Sequence, residues 1–201
     1  MFHAAREPVM KFALIILSAV FCSTPLLEAQ ISTWKADPVH SEVDFTVRHL
    51  GVANVHGRFG VVKATVRYNP ADVSKSNVTA TVGVNTVETG EPGRDGELKS
   101  ANFFDVNRYP TAMFSSTSVS ENGKGGLWVR GNLTLHGITK PVILNVQGPS
   151  KPVLGPDGKP HSGFSATTTI DRTAFDIGPN YPVAVVGDQV KLEIDLEIIK
   201  E

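Results

Sequence analysis

The sequence has little of several features that would define other classes of protein. It contains one cysteine, Cys22, among 201 residues, so no disulfide can form within the chain. Its 19 basic and 20 acidic residues leave a net charge of −1. A near-neutral chain gives no electrostatic case for binding nucleic acid or an anionic membrane. The apolar run at residues 12–22 is shorter than the roughly 20 residues that span a bilayer.

Motifs of familiar enzymes are also absent. The sequence has no G-x-S-x-G, no H-E-x-x-H and no phosphate-binding G-x-x-x-x-G-K-[ST]. The acidic residues fall mostly at strand positions predicted to face water. The histidines are scattered, without the close pairs that favour a metal site. We therefore expect no catalytic residues, no metal and no cofactor.

The first 29 residues have the composition of a secretory signal peptide. Arg6 and Lys11 precede the apolar run, and small and polar residues follow it up to Ala29. A basic start, an apolar centre and a small residue at the cleavage site are typical of such a peptide. Removing residues 1–29 removes two basic residues, two acidic residues and the cysteine, so the charge stays at −1. We predict one exported domain, residues 30–201, held by its core alone.

The remaining sequence has the alternation of β-strands with one wet and one dry face. In residues 127–135 apolar side chains alternate with polar ones, and the alternation resumes at 142–146 after His136-Gly137. Two strands joined by a tight turn explain this pattern. Residues 41–50 and 190–198 alternate equally cleanly.

About eight long strands follow from the same pattern, with one short leading strand near Trp34. Residues 57–69 change phase near residue 61, which predicts a bulge or corner. Asp95 is the predicted N-cap of one short helix that ends near residue 101. Short links favour antiparallel neighbours, and long strands with one wet and one dry face must close on themselves or stack; a sandwich prefers shorter strands. The sequence predicts an all-β, antiparallel up-and-down barrel.

An eight-stranded barrel is wide enough either to be filled by side chains or to hold one small ligand. Small residues such as Ala80, Ala112 and Ala166 alternate with large ones on the inward faces and leave space. A packed barrel that serves as an interaction module stays open as an alternative.

Several short segments, in order, resemble the YceI-like, polyisoprenoid-binding family. They are Asp37-Pro38-Val39-His40-Ser41, Val55-His56-Gly57-Arg58-Phe59, Arg94-Asp95, Phe103-Phe104-Asp105-Val106, Gly131 to Lys140, and Asp171-Arg172-x-x-Phe175. The resemblance implies a lipocalin-like barrel, a periplasmic location and a long isoprenoid or acyl lipid bound inside. The sequence departs from the family pattern at Gly96-Glu97 and at Asn102. If this segment holds the head group of the lipid, these departures bear on which head group is preferred.

The resemblance and the inward faces together predict the ligand-binding residues. They are Phe45, Val47, His49, Phe59, Arg94, Phe104, Phe114, Leu133, Leu135, Phe164 and Phe175. His49 is either a donor to a polar ligand head or an ordinary residue at a strand end. Arg94 either meets a phosphate or carboxylate head or pins the helix. We expect Arg172 to be structural.

The predicted partner is therefore a lipid, carried, stored or sequestered in the periplasm. No nucleic acid and no stable membrane insertion after signal removal are expected. A homodimer is consistent with the family. An enzyme acting on a lipid-like substrate, through His49, His136 and the Arg94-Asp95 loop, is the second hypothesis.

Overall fold

The computed structural model describes Met1 and residues 30–201. The predicted signal peptide lies outside the described residues. These residues form ten strands and one α-helix: β1 (Ser32–His49), β2 (Ala53–Phe59), β3 (Val62–Tyr68), β4 (Asn77–Gly83), α1 (Pro92–Lys99), β5 (Thr111–Glu121), β6 (Leu127–Leu135), β7 (Ile138–Gln147), β8 (Val153–Leu154), β9 (Pro160–Asp171) and β10 (Val186–Lys200). Three short 3₁₀ turns lie at Val73–Lys75, Val84–Thr86 and Arg172–Phe175.

The strands form a closed antiparallel barrel. Around the ring the order is β1, β3, β4, β5, β6, β7, β9 and β10, and β10 pairs again with β1. Strand β2 pairs with the second half of β1, from Val43 to His49, next to the part of β1 that pairs with β3. The two-residue strand β8 pairs with the start of β9. This confirms the predicted eight-stranded, up-and-down, lipocalin-like barrel with one short helix.

The first strand is longer than the sequence indicated. The predicted short strand near Trp34 and the strand at residues 41–50 are one strand, β1, interrupted between Ala36 and Ser41 where its register against β10 shifts. Pro38 lies in this irregularity, where its missing N–H costs no ladder hydrogen bond.

The predicted corner and turn are both confirmed. Val61 has a φ of 54°, so the chain turns sharply between β2 and β3 and the inward parity changes there. His136 and Gly137 have φ values of 51° and 74°. Two consecutive positive φ values are what a two-residue type I′ hairpin requires.

The predicted start of the helix was wrong. Glu91, not Asp95, is the N-cap of α1, and its carboxylate accepts hydrogen bonds from the N–H groups of Gly93 and Arg94. Pro92 follows at the first helical position, which suits its fixed φ and missing N–H. Asp95 lies in the first turn and accepts from the Thr89 N–H at 2.8 Å.

The two ends of the barrel differ, and we name them by that difference. At the closed end, α1 and the segment after β9 cover the barrel, and the buried core there includes Phe103, Phe104, Phe175 and Ile177. The open end lies where β3 ends and β4 begins. Within the described residues there is no helix with the length and apolar composition needed to cross a membrane.

Candidate functional site

The barrel encloses a cavity of about 240 Å³, counted as the space available to the centre of a water molecule. Leu192, Ile194 and Leu196 point into it, and each stays only half-buried although it lies inside the barrel. A filled interior would bury such side chains completely. The interior is therefore hollow, and the alternative of a packed barrel is wrong.

Nearly all side chains of the cavity wall are hydrocarbon. The five exceptions among the lining residues of the described chain are Tyr68, Ser76, Asn77, Thr168 and Arg172. The alternation of each strand produces this result, because every second residue faces inward and those positions hold valine, leucine, isoleucine, alanine or phenylalanine. A wall of this kind accepts a hydrocarbon and offers few groups for a polar one.

Eight of the eleven predicted ligand-binding residues line the cavity. They are Phe45, Val47, Phe59, Phe104, Phe114, Leu133, Leu135 and Phe164. Phe45, Phe59 and Phe104 form a continuous aromatic cluster near the closed end, with ring centroids 5.3 and 5.6 Å apart. The strand period placed all of these on the inward face except Phe104, which lies in the turn after α1.

The other three predicted residues lie elsewhere. His49 is exposed at the end of β1, where the register of β1 against β10 shifts between Val47 and His49 and the inward parity is lost. Arg94 donates to the hydroxyl and carbonyl oxygens of Thr89, at 2.7 and 3.0 Å, and so pins the helix. Phe175 is 2% exposed and packs in the core of the closed end, outside the cavity lining.

Arg172 lies at the closed end of the cavity and is 3% exposed. Its guanidinium donates to five backbone carbonyl oxygens, those of Ile177, Gly178, Tyr181, Val186 and Gly187, at 2.7 to 3.0 Å. Burial lowers the pKa of Arg172, with Asp171 and Asp188 opposing that effect. The side chain ties the long connection before β10 to the barrel, as expected of a structural residue.

The open end carries polar groups that the sequence analysis did not select. Tyr68 ends β3, Ser76 precedes β4 and Asn77 is the first residue of β4; all three are among the residues around the cavity. Asn77 is exposed and has the same outward parity as Thr79 on β4. Tyr68 shares the inward parity of Val62, Ala64 and Val66, and this parity would have identified it.

Two histidines outside the cavity, His136 and His161, hold parts of the fold together by hydrogen bonds. His136 Nδ1 is 3.1 Å from the carbonyl oxygen of Phe175, which links the β6–β7 turn to the closed end. His161 lies between Asp157 and Glu197. Its hydrogen bonds to these two carboxylates raise the pKa of His161, and the bond to Asp157 contributes most.

One group of side chains has the composition of a cation site. Single ligand atoms of Asp37, His40 and Glu197 lie within 4.8 Å of one another. His40 Nδ1 is 2.8 Å from Asp37 Oδ2, and this hydrogen bond raises the pKa of His40. Ion pairs already account for the arrangement.

The fold and the cavity together define a class: hollow up-and-down β-barrels with an apolar interior. A family model described as the YceI-like domain matches residues 34–198. A UPF0312 protein of Vibrio cholerae serotype O1 (strain M66-2) is 34% identical over 166 residues, 81% of this chain and 83% of that protein. The chain therefore belongs to the YceI-like family, which confirms the resemblance.

Solved structures share the fold. Burkholderia cenocepacia BcnA superimposes with a TM-score of 0.71 at 22% identity, over 81% of this chain and 98% of that one. A polyisoprenoid binding domain from Saccharophagus degradans, implicated in plant cell wall breakdown, superimposes with a TM-score of 0.62 at 16% identity, over 86% and 100%.

Proposed function

We propose that this protein binds a long apolar lipid, a polyisoprenoid or a fatty-acid derivative, inside its barrel. The observation that carries the proposal is the hollow interior with a hydrocarbon wall from Arg172 at the closed end to Asn77 at the open end. The description of the Saccharophagus domain as polyisoprenoid-binding is consistent with it.

The dimensions of the barrel suit an extended chain. Strand β6 has nine residues, and at about 3.3 Å per residue it is roughly 30 Å long. A tilt of about 40° reduces this to a barrel height of roughly 23 Å. Each buried methylene contributes about 0.8 kcal/mol, so ten methylenes give roughly 8 kcal/mol before the entropic cost of ordering the chain.

We further propose that residues 1–29 direct export and that the lipid is transported, stored or sequestered in the periplasm. The basic start, apolar centre and small residue before Gln30 support export. We propose binding without catalysis, since the wall holds hydrocarbon where an enzyme would place a nucleophile and its base. The homodimer stays a prediction.

Filling the cavity from one side tests the proposal. Ala80 lines the cavity beside Phe114, its cross-strand partner, whereas Thr81 on the same strand has the opposite, outward parity. Ala80→Trp should therefore block the lipid site, and Thr81→Trp should leave it open. Both variants carry the same new side chain, which makes them a matched pair.

Delipidated protein is mixed with a C20 isoprenoid alcohol or a C18 fatty amide, and the melting temperature is measured. At a free ligand concentration of 100 Kd the stabilisation is about 2.7 kcal/mol, or roughly 5–10 °C for a domain of this size. The wild type and Thr81→Trp should show this rise and Ala80→Trp should not, with unchanged circular dichroism. No rise in the wild type, or equal rises in all three proteins, would contradict the proposal.

A further inference from the structure

Two turns at the closed end lie side by side and expose aliphatic side chains. The first, residues 50–52, joins β1 to β2, and the second, residues 182–185, leads into β10. The Leu50 N–H donates to the Val185 carbonyl oxygen at 2.9 Å, so the two turns are in contact. Leu50, Val52 and Val183 are 56%, 78% and 52% exposed. With the exposed neighbours Ala53, Pro182 and Ala184, we call these residues the apolar tip.

Charge is absent from the apolar tip and present just behind it. Residues 49–57 and 177–187 contain no lysine, arginine, aspartate or glutamate. Arg48 is exposed, and its guanidinium donates to the Gly51 carbonyl oxygen at 2.7 Å and to Asn54 Oδ1 at 2.9 Å. These bonds use two of the five N–H donors of a guanidinium. An apolar tip with a cation at its base matches a phospholipid bilayer, in which phosphates overlie hydrocarbon.

Both turns have a fixed and convex shape. Leu50 and Gly51 have φ values of 52° and 70°, as a two-residue type I′ hairpin requires. In the second turn the N–H groups of Val185 and Val186 both donate to the Pro182 carbonyl oxygen, at 2.8 and 3.0 Å. Exposed aliphatic side chains grouped in this way mark an interaction surface. A convex tip enters a fluid layer without a complementary groove.

The apolar tip is continuous with the cavity. Val47, three residues before Leu50, and Val186, two residues after Ala184, are both in the cavity wall. The same two strands, β1 and β10, therefore carry hydrocarbon from the inside of the barrel to its outer surface. A lipid surface that covers the apolar tip would lie directly against this end of the cavity.

From these observations we infer that the protein docks reversibly on a phospholipid bilayer through the apolar tip and collects or delivers its lipid there. The inference rests on the proposed function, since it names the surface with which the bound lipid is exchanged. A few aliphatic side chains and one guanidinium give a shallow contact, which differs from stable insertion.

The test uses vesicles of phosphatidylethanolamine and phosphatidylglycerol that contain a fluorescent C20 isoprenoid alcohol. Co-flotation measures the fraction of protein bound to the vesicles, and fluorescence measures the rate of transfer to delipidated protein. The double variant Val52→Asp, Val183→Asp should lower both by roughly tenfold or more. Its circular dichroism and its dissociation constant for the dissolved alcohol should be unchanged, since both side chains are exposed and outside the cavity wall.

The double variant Val39→Asp, Val153→Asp is the matched control. It adds the same charge at two valines that are 79% and 64% exposed and lie outside the apolar tip, and it should behave like the wild type. The inference is overturned if all three proteins bind vesicles and take up the alcohol equally. It is also overturned if light scattering shows a dimer that only Val52→Asp, Val183→Asp dissociates while vesicle binding stays unchanged, since the apolar tip would then join two copies of the chain. If the wild type binds the alcohol neither from vesicles nor in solution, the proposed function itself fails, which is a different result and removes the inference with it.

Discussion

Replacing Arg172 should destabilise the barrel far more than replacing any exposed arginine. The side chain is 3% exposed and its five donors hold carbonyl oxygens of residues 177 to 187. Arg172→Met removes all five hydrogen bonds and the charge and keeps an unbranched apolar side chain. Arg172→Lys keeps the charge but has only three donors.

The expected magnitude follows from the number of acceptors left without a donor. A hydrogen bond to a charged group contributes about 1.5–3 kcal/mol, and a buried acceptor without a partner costs about 1–3 kcal/mol. Removing the buried charge offsets part of this loss. We expect Arg172→Met to lower the free energy of unfolding by about 4 kcal/mol, and lysine to recover no more than half of that.

Urea unfolding followed by circular dichroism measures these losses. Arg130→Met is the control, because Arg130 is exposed on β6, and it should stay within about 0.5 kcal/mol of the wild type. Hydrogen exchange should show the loss first in residues 177–187, which the guanidinium holds. A loss below 1 kcal/mol in Arg172→Met, or full recovery by lysine, would refute the assigned role.

Three further predictions concern stability. The pKa of His161 is higher in the folded than in the unfolded protein, so protonation of His161 stabilises the fold. This contribution is complete below the unfolded pKa of about 6.5 and is lost as the pH rises through the higher folded pKa. The urea midpoint should therefore fall more between pH 6 and 9 in the wild type than in His161→Gln, and His56→Gln should behave like the wild type; parallel curves for all three would count against it. Gly131→Ala should cost about 1–3 kcal/mol, because the new Cβ would lie 2.4 Å from the Phe114 ring; an unchanged urea midpoint would be inconsistent with this contact. Gly96→Ala, in the exposed helix with no atom within 4 Å, should instead stabilise by about 0.5–1 kcal/mol, and a loss in the same assay would show that this glycine has another role.

The barrel itself could be predicted because a strand's period is a strong, local property. Inward parity placed Phe45, Phe114 and Leu133 correctly on the cavity wall without any structure. The positive φ values at His136 and Gly137 followed from a glycine between two alternating runs. Each of these inferences needed only neighbouring residues.

Other features depended on contacts between distant residues. The N-cap of α1 was placed at Asp95 because aspartate is the commoner cap, whereas the structure uses Glu91 and gives Asp95 to Thr89. Three of the five acceptors of Arg172, Ile177, Gly178 and Tyr181, come from the loop before β10, whose path the sequence does not determine. The polar residues at the open end were not selected because Ser76 lies in a turn, where the period of two no longer applies, and Asn77 has the outward parity of β4.

The central claim is that the hollow barrel holds a long apolar lipid. The most direct measurement is native mass spectrometry of the protein purified without detergent, followed by extraction and identification of any bound small molecule. The account predicts a mass increase that matches one long-chain lipid per barrel, absent in Ala80→Trp. Protein that carries no lipid, and that takes up neither isoprenoid nor acyl chains when they are supplied, would contradict it.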